Sequence, residues 1–226
     1  MGTPVLAFAG PEALGDAGAF VARVARLDRQ ALVRIVPVPG GPGVRLWARL
    51  PYDVLAGRSV ATDAGDRGVV EDATVGAADL LDALTRARAA GTAALALPAR
   101  RDAAWRGWLP ADSGWRVVER VPAEVVRALV DAGQSTVRSA PDPTRAGEAV
   151  LDHESLTVTG DDITLAVPYR LLHAAVQMGF VAAGGDSGTP VVEVAVTPAW
   201  VRLAGVYGTV YRRRTTPAGG GVLTIG

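Results

Sequence analysis

The spacing of apolar positions changes several times along the chain, and each change predicts an element. Residues 5–9 form a short apolar run of strand length. Over residues 16–28 the period is helical, with Ala17, Phe20, Val21, Val24 and Leu27 on one face and Arg23, Arg26 and Arg29 on the other. The period then falls to two. Residues 31–38 and 44–50 flank Pro39-Gly40-Gly41-Pro42-Gly43, the pattern of a hairpin with a glycine-rich loop. Along its second arm Val44, Leu46, Ala48 and Leu50 share one face, and Arg45, Trp47 and Arg49 share the other. A third strand over residues 54–62 continues this sheet.

The middle of the chain reads as more helical. Asp72 and Thr74 have the chemistry of N-terminal caps for a helix reaching about residue 90, with Gly91 as its stop. Its buried stripe is Ala77, Leu80, Leu81, Leu84 and Ala87. A short strand over 93–97 ends at Pro98, and a segment carrying Trp105, Trp108 and Trp115 follows. Pro122 opens a helix to about residue 132. Residues 139–147, with Pro141 and Pro143, read as a linker. Beyond it come a hairpin (154–159 and 162–167, turning at Gly160-Asp161), a helix from Pro168 to Met178 capped by Gly179, a glycine-rich loop over 183–189, and three strands over 191–197, 200–204 and 206–213. Residues 222–225 offer a last edge strand.

The fold class expected from this order is α+β, with mixed, largely antiparallel sheets at both ends packed with a helical middle segment. The expected division is an N-terminal α+β region over 1–140 with a helical second half, and a C-terminal ββαβββ region over 148–226, the two standing apart or integrated as one domain. No internal repeat is read, because helix-then-strands at one end does not align with strands-helix-strands at the other. No apolar run approaches the length of a membrane span. The first residues have no basic segment ahead of an apolar stretch, so a cytoplasmic protein without a membrane partner is expected.

Composition narrows the chemistry. All 23 basic residues counted as Lys or Arg are arginine, and there is no cysteine. Asparagine is also absent and isoleucine occurs three times, which points to a GC-rich genome. A Schiff-base lysine and a thiolate nucleophile are thereby excluded. So are a P-loop and any cysteine-ligated metal. With two histidines, neither a metal nor another cofactor is expected. Charge is unevenly placed: residues 1–62 carry seven arginines and four acids, residues 63–167 carry 11 and 17, and residues 168–226 carry five and two. Either the basic ends dock on the acidic middle, or they form a surface for a polyanion.

Candidate binding residues follow from the strand faces. Arg45, Trp47 and Arg49, with Arg34 beside them, interleave guanidinium forks with an aromatic ring, which suits phosphates and stacked bases. Trp200, Arg202, Tyr211 and Arg213 repeat that chemistry on the last strands. The structural alternative is that the aromatic rings are covered and the arginines snorkel around them. The helix at 168–178 offers Arg170, His173 and Gln177 as exposed readers in a weak winged-helix pattern. Asp152-His153-Glu154 alternates across a strand and does not converge locally, and Ser155 and Ser187 lack a nucleophile-elbow context. Asp63, Asp66, Glu71 and Asp72 miss the EF-hand spacing. No set of catalytic residues emerges. The leading expectation is a non-catalytic binding protein that meets a protein partner or associates with itself. The alternative is a nucleic-acid-binding protein using the basic-aromatic strand faces. The third is a hydrolase or other enzyme whose site is not visible in sequence.

Overall fold

The computed structural model describes residues 5–63, 71–160, 162–184 and 189–214. The N-terminal half runs β1 (Val5–Ala7), α1 (Pro11–Leu27), β2 (Leu32–Pro37), β3 (Gly43–Leu50), β4 (Val54–Ala61), β5 (Ala73–Gly76), α2 (Ala77–Ala89) and β6 (Ala94–Ala96). The C-terminal half runs β7 (Arg116–Pro122), α3 (Ala123–Ser139), α4 (Pro143–Asp152), β8 (Glu154–Gly160), β9 (Ile163–Pro168), α5 (Tyr169–Gln177), β10 (Val191–Val196), β11 (Trp200–Gly205) and β12 (Gly208–Arg213). The architecture is α+β with antiparallel sheets. Eight strands form one sheet in the order β5-β2-β3-β4-β12-β11-β10-β7, and β1–β6 and β8–β9 form two-stranded ladders.

This order contains a repeat that runs in opposite directions in the two halves. One unit is a strand, a helix and a three-stranded meander: β1-α1-β2-β3-β4 and β9-α5-β10-β11-β12. The other is a strand, a helix and a strand: β5-α2-β6 and β7-α3-β8, the latter with α4 inserted. In each half the second unit's first strand lies beside the first strand of the meander, and its last strand pairs with the strand that opens the first unit. The halves meet at the centre, where β4 and β12 pair Leu55–Gly57 with Thr209–Tyr211. Because one half has the meander first and the other has it last, aligning the sequence from end to end cannot find the repeat.

The helices cover one face of the large sheet. Alternation places Val33, Ile35, Leu46, Ala48, Val194, Val201, Leu203 and Val210 in the main core with Phe20, Val24, Leu80, Leu84, Val126, Leu171 and Leu172 from the helices. Phe20 of α1 and Phe180, just after α5, stack with ring centroids 6.3 Å apart, so the two halves share this core. Gly205 lies so close to the Phe180 carbonyl that a Cβ there would collide with it.

The hairpin, the third strand, the β8–β9 hairpin, α5 and the last three strands follow the sequence pattern. Four places differ. Helix α1 begins at Pro11, because proline fits the first helical turn, where its missing N–H is not needed. Residues 73–76 are a strand rather than the first turn of α2. Thr74 is buried in β5, and its N–H donates to Asp102 while its carbonyl accepts from the Arg101 N–H. The expected linker at 139–147 contains the start of α4, where the Asp142 side chain accepts from the Arg145 N–H and Pro143 occupies the first turn. Pro122 ends a strand, β7, directly before its helix. The expectations for residues 222–225, for Ser187 and the centre of the 183–189 loop, for Asp66 and for Asp161 lie outside the described residues. No helix among the described residues is long and apolar enough to cross a membrane.

Candidate aromatic and arginine site on the outer sheet face

The face of the sheet away from the helices, here the outer face, has a different covering. Residues 97–115 cross it as an irregular strap containing one short 3-10 turn, Asp102–Ala104. Beneath the strap Trp47, Leu55 and Tyr211 are buried, with Val36, Trp105, Leu109, Trp115 and Trp200 packed partly buried around them. Trp47 is 2% exposed. Its ring lies over Gly57, where a Cβ would stand 2.9 Å from the indole, so the strand beneath has no room for a side chain. Trp47 and Trp115 each tilt against Tyr211, at 5.2 and 5.7 Å between centroids. Burial pushes the Tyr211 phenol up from its ordinary value.

All eight sequence-selected residues, Arg34, Arg45, Trp47, Arg49, Trp200, Arg202, Tyr211 and Arg213, are brought to this outer face. They divide into two groups. Arg34 makes a bidentate fork on Asp72, at 2.8 and 2.6 Å, and its guanidinium lies 5.9 Å from the Trp105 ring. The hydrogen bond to Asp72 raises its pKa. Arg45 is paired with Asp112 and lies 5.4 Å from the Trp47 ring. Arg202 is paired with Glu193 at 3.1 Å and lies 4.6 Å over Trp115. These three forks, with buried Trp47 and Tyr211, are committed to partners inside the protein.

Arg49, Trp200 and Arg213 form the second group, at the end of the sheet where β3, β4 and β12 meet. Arg49 donates to the Arg106 carbonyl at 2.9 Å and has only a loose contact, 3.7 Å, to Asp53. Arg213 is exposed, 5.8 Å from the Trp200 ring. With Trp105, Arg106, Trp108 and Arg212 they line a cleft of about 170 Å³. Trp108 is 81% exposed and also borders a wider hollow of about 800 Å³ on the Arg34–Asp72 side. Sequence reasoning noted the strap tryptophans without placing them at this site. Gly107, at φ +99°, was the available signal: a glycine in the left-handed region turns the chain so that Trp108 stands off the surface.

The strap is fastened to β5 by Asp102. Its carboxylate accepts from the Thr74 N–H at 2.7 Å and from Arg100 Nε at 2.7 Å. The backbone hydrogen bond first, and then Arg100, hold the Asp102 carboxyl below the ordinary carboxylate value. The basic ends do pair with the acidic middle in several places, as Arg34–Asp72, Arg45–Asp112 and Arg170–Asp152.

The expected readers on α5 are not presented to solvent as a set. Arg170 donates to the Tyr52 carbonyl and pairs with Asp152. His173 sits between Tyr52 and Tyr169, at 5.4 and 5.6 Å, with Nδ1 buried and unpartnered. Burial lowers its pKa from 6.5. His153 is exposed at the end of α4, and the nearby Ser155 hydroxyl donates to the His153 backbone carbonyl rather than to its imidazole. Among the described residues no three His, Asp or Glu side chains cluster as a metal site would require.

This arrangement defines a two-part, antiparallel α+β protein with helices on one sheet face, the fold of the sliding clamps. A sliding clamp (DNA polymerase III subunit beta) from Bartonella birtlesii, bound to griselimycin, superposes with a TM-score of 0.55 at 12% identity over 95% of this chain and 66% of its own. The Caulobacter crescentus pol III beta gives 0.54 at 13% identity over 92% and 64%. The Pseudomonas aeruginosa DNA polymerase III subunit beta gives 0.56 at 13% over 95% and 66%. This chain thus spans just under two thirds of the length of those clamps. At the level of sequence, residues 1–107 match the profile of a domain of unknown function, DUF8010. Residues 110–217 match a second, DUF8185. No curated protein sequence gives a significant match.

Proposed function

We propose that this chain is a non-catalytic, clamp-like interaction protein that works as an assembly of its own copies and associates with DNA. The observation that carries the reading is the likeness in fold to sliding clamps over almost the whole chain. Strand edges support the self-association. The ladders β1–β6 and β8–β9 are only two strands wide, and β6 has no second ladder partner among the described residues. An unpaired edge is a template for a strand of another chain, and most soluble oligomers are closed, symmetric assemblies of one chain.

The test is mass in solution. Light scattering across a concentration series is expected to give a multiple of the 23.2 kDa chain. Ala96→Pro, which blocks an exposed edge position of β6, is expected to shift the population toward monomer. A monomer at every concentration overturns the reading. Retention of duplex DNA at low salt, measured in parallel, tests the DNA association separately.

A further inference from the structure

Arginines with no close carboxylate partner point to a ligand on the outer face. On the helix side, arginines and acids balance: α1, α2 and α3 together carry Arg23, Arg26, Arg86, Arg88, Arg127 and Arg138 against six carboxylates. The cleft beside Trp108 is lined by Arg49, Arg106, Arg212 and Arg213 and by a single acid, Asp53. Among the described residues Arg106, Arg212 and Arg213 have no carboxylate partner. One donor is also buried there without an acceptor, Trp105 Nε1. Buried donors in native proteins are nearly always satisfied, so this orphan at the cleft marks a place where an acceptor belongs.

The aromatic groups have the complementary geometry. Trp108 offers an exposed indole, and Trp200 lies partly exposed across the cleft beneath Arg213. Volume admits more than solvent, since about 170 Å³ exceeds several times the roughly 30 Å³ share of one water. Aromatic faces interleaved with guanidinium groups are what unpaired nucleotides need: the rings take bases of any identity and the cations take the phosphates. An acidic peptide would use the cations and leave the exposed indole without a stacking partner.

We propose that the cleft formed by Trp108, Trp200, Arg49, Arg106 and Arg213 binds single-stranded nucleic acid, with a base stacked on Trp108 and phosphates on the arginines. The site is independent of the self-association proposed above, and it lies on the sheet face opposite the helices.

The test uses the full chain and a short fluorescein-labelled oligo(dT), followed by anisotropy at about 50 mM salt and upward. Binding that weakens with salt and quenches tryptophan fluorescence is expected. Trp108→Ala is expected to weaken it about ten-fold or more, as loss of one stacked base does, and Trp108→Phe to retain most of it. Arg106→Ala with Arg213→Ala is expected to lower the slope of log affinity against log salt by about 1.4, two phosphate contacts on a single strand. No binding at 50 mM salt overturns the proposal. So does binding that Trp108→Ala and the double arginine variant leave unchanged, and so does preference for a duplex of the same length. Light scattering on Trp108→Ala, expected to match the unaltered protein, keeps a failure of this site distinct from a failure of the assembly.

Discussion

The two faces of the eight-stranded sheet are covered by different chemistry. Toward the helices, aliphatic side chains alternate out of every strand, and the cover is regular structure whose backbone hydrogen bonds are satisfied internally. Toward the strap, the buried groups are mainly large aromatics and the cover has almost no regular structure. Its polar groups must find partners one by one, as the Arg49–Arg106, Thr74–Asp102 and Arg100–Asp102 hydrogen bonds show. The comparison teaches that one sheet can store stability on one side and present recognition chemistry on the other. The strap holds an indole and several guanidinium groups at the surface.

Substitutions should separate the two faces by size of effect. Phe20→Ala removes a fully buried ring stacked across the halves, and about 3–5 kcal/mol of stability is expected to be lost in urea unfolding. On the outer face, Gly57→Ala forces a methyl against Trp47. About 1–3 kcal/mol is expected, with a changed near-ultraviolet tryptophan signal that Phe20→Ala does not give at matched fraction folded. Asp102→Ala strips an acceptor from the buried Thr74 N–H. A loss of about 1 kcal/mol or somewhat more is expected, with faster hydrogen exchange confined to β5 and the strap.

Acid should open the faces in sequence. Burial lowers the His173 pKa in the folded state, so the unfolded chain takes up this proton first as pH falls. The contribution is whole above about pH 6.5 and is lost progressively below it. Asp102, held below its ordinary 3.8, contributes fully above that value and fails only as pH falls through the lower folded value. A pH series of melting curves should therefore show a decline beginning below 6.5 that His173→Phe removes and Asp102→Ala leaves in place. The smallest effect expected is that of Trp108→Ala, within about 0.5 kcal/mol, because the side chain is exposed. A large loss there would mean that Trp108 holds the strap down rather than facing a ligand.

Much of this was legible in the residues, for identifiable reasons. Alternation in β3 placed Leu46 inward and Trp47 outward, and the basic-aromatic positions reached one face because the apolar residues alternating with them in each strand enter one core. What stayed hidden depended on contacts distant in sequence. Thr74 reads as a helix cap until Asp102, 28 residues later, takes its N–H and holds it in a strand. Arg45 and Arg202 read as free forks until Asp112 and Glu193 close on them. Trp108 carries no periodicity, since the strap that presents it has none.

The reversed order of the two halves also governs when the protein can become whole. The central strands β4 and β12 join Gly57 to Thr209, about 150 residues apart, although each meander closes through neighbouring strands. Local ladders form quickly and distant ones wait for costly loop closure. A ribosome must therefore release β12 before the middle of the sheet can zip, and until then β4 exposes a central strand edge. Pulse-labelled hydrogen exchange during refolding should find those amides of Leu55–Gly57 and Thr209–Tyr211 that donate across the seam protected last, which makes the seam the step at which crowding or a second chain would most readily intervene.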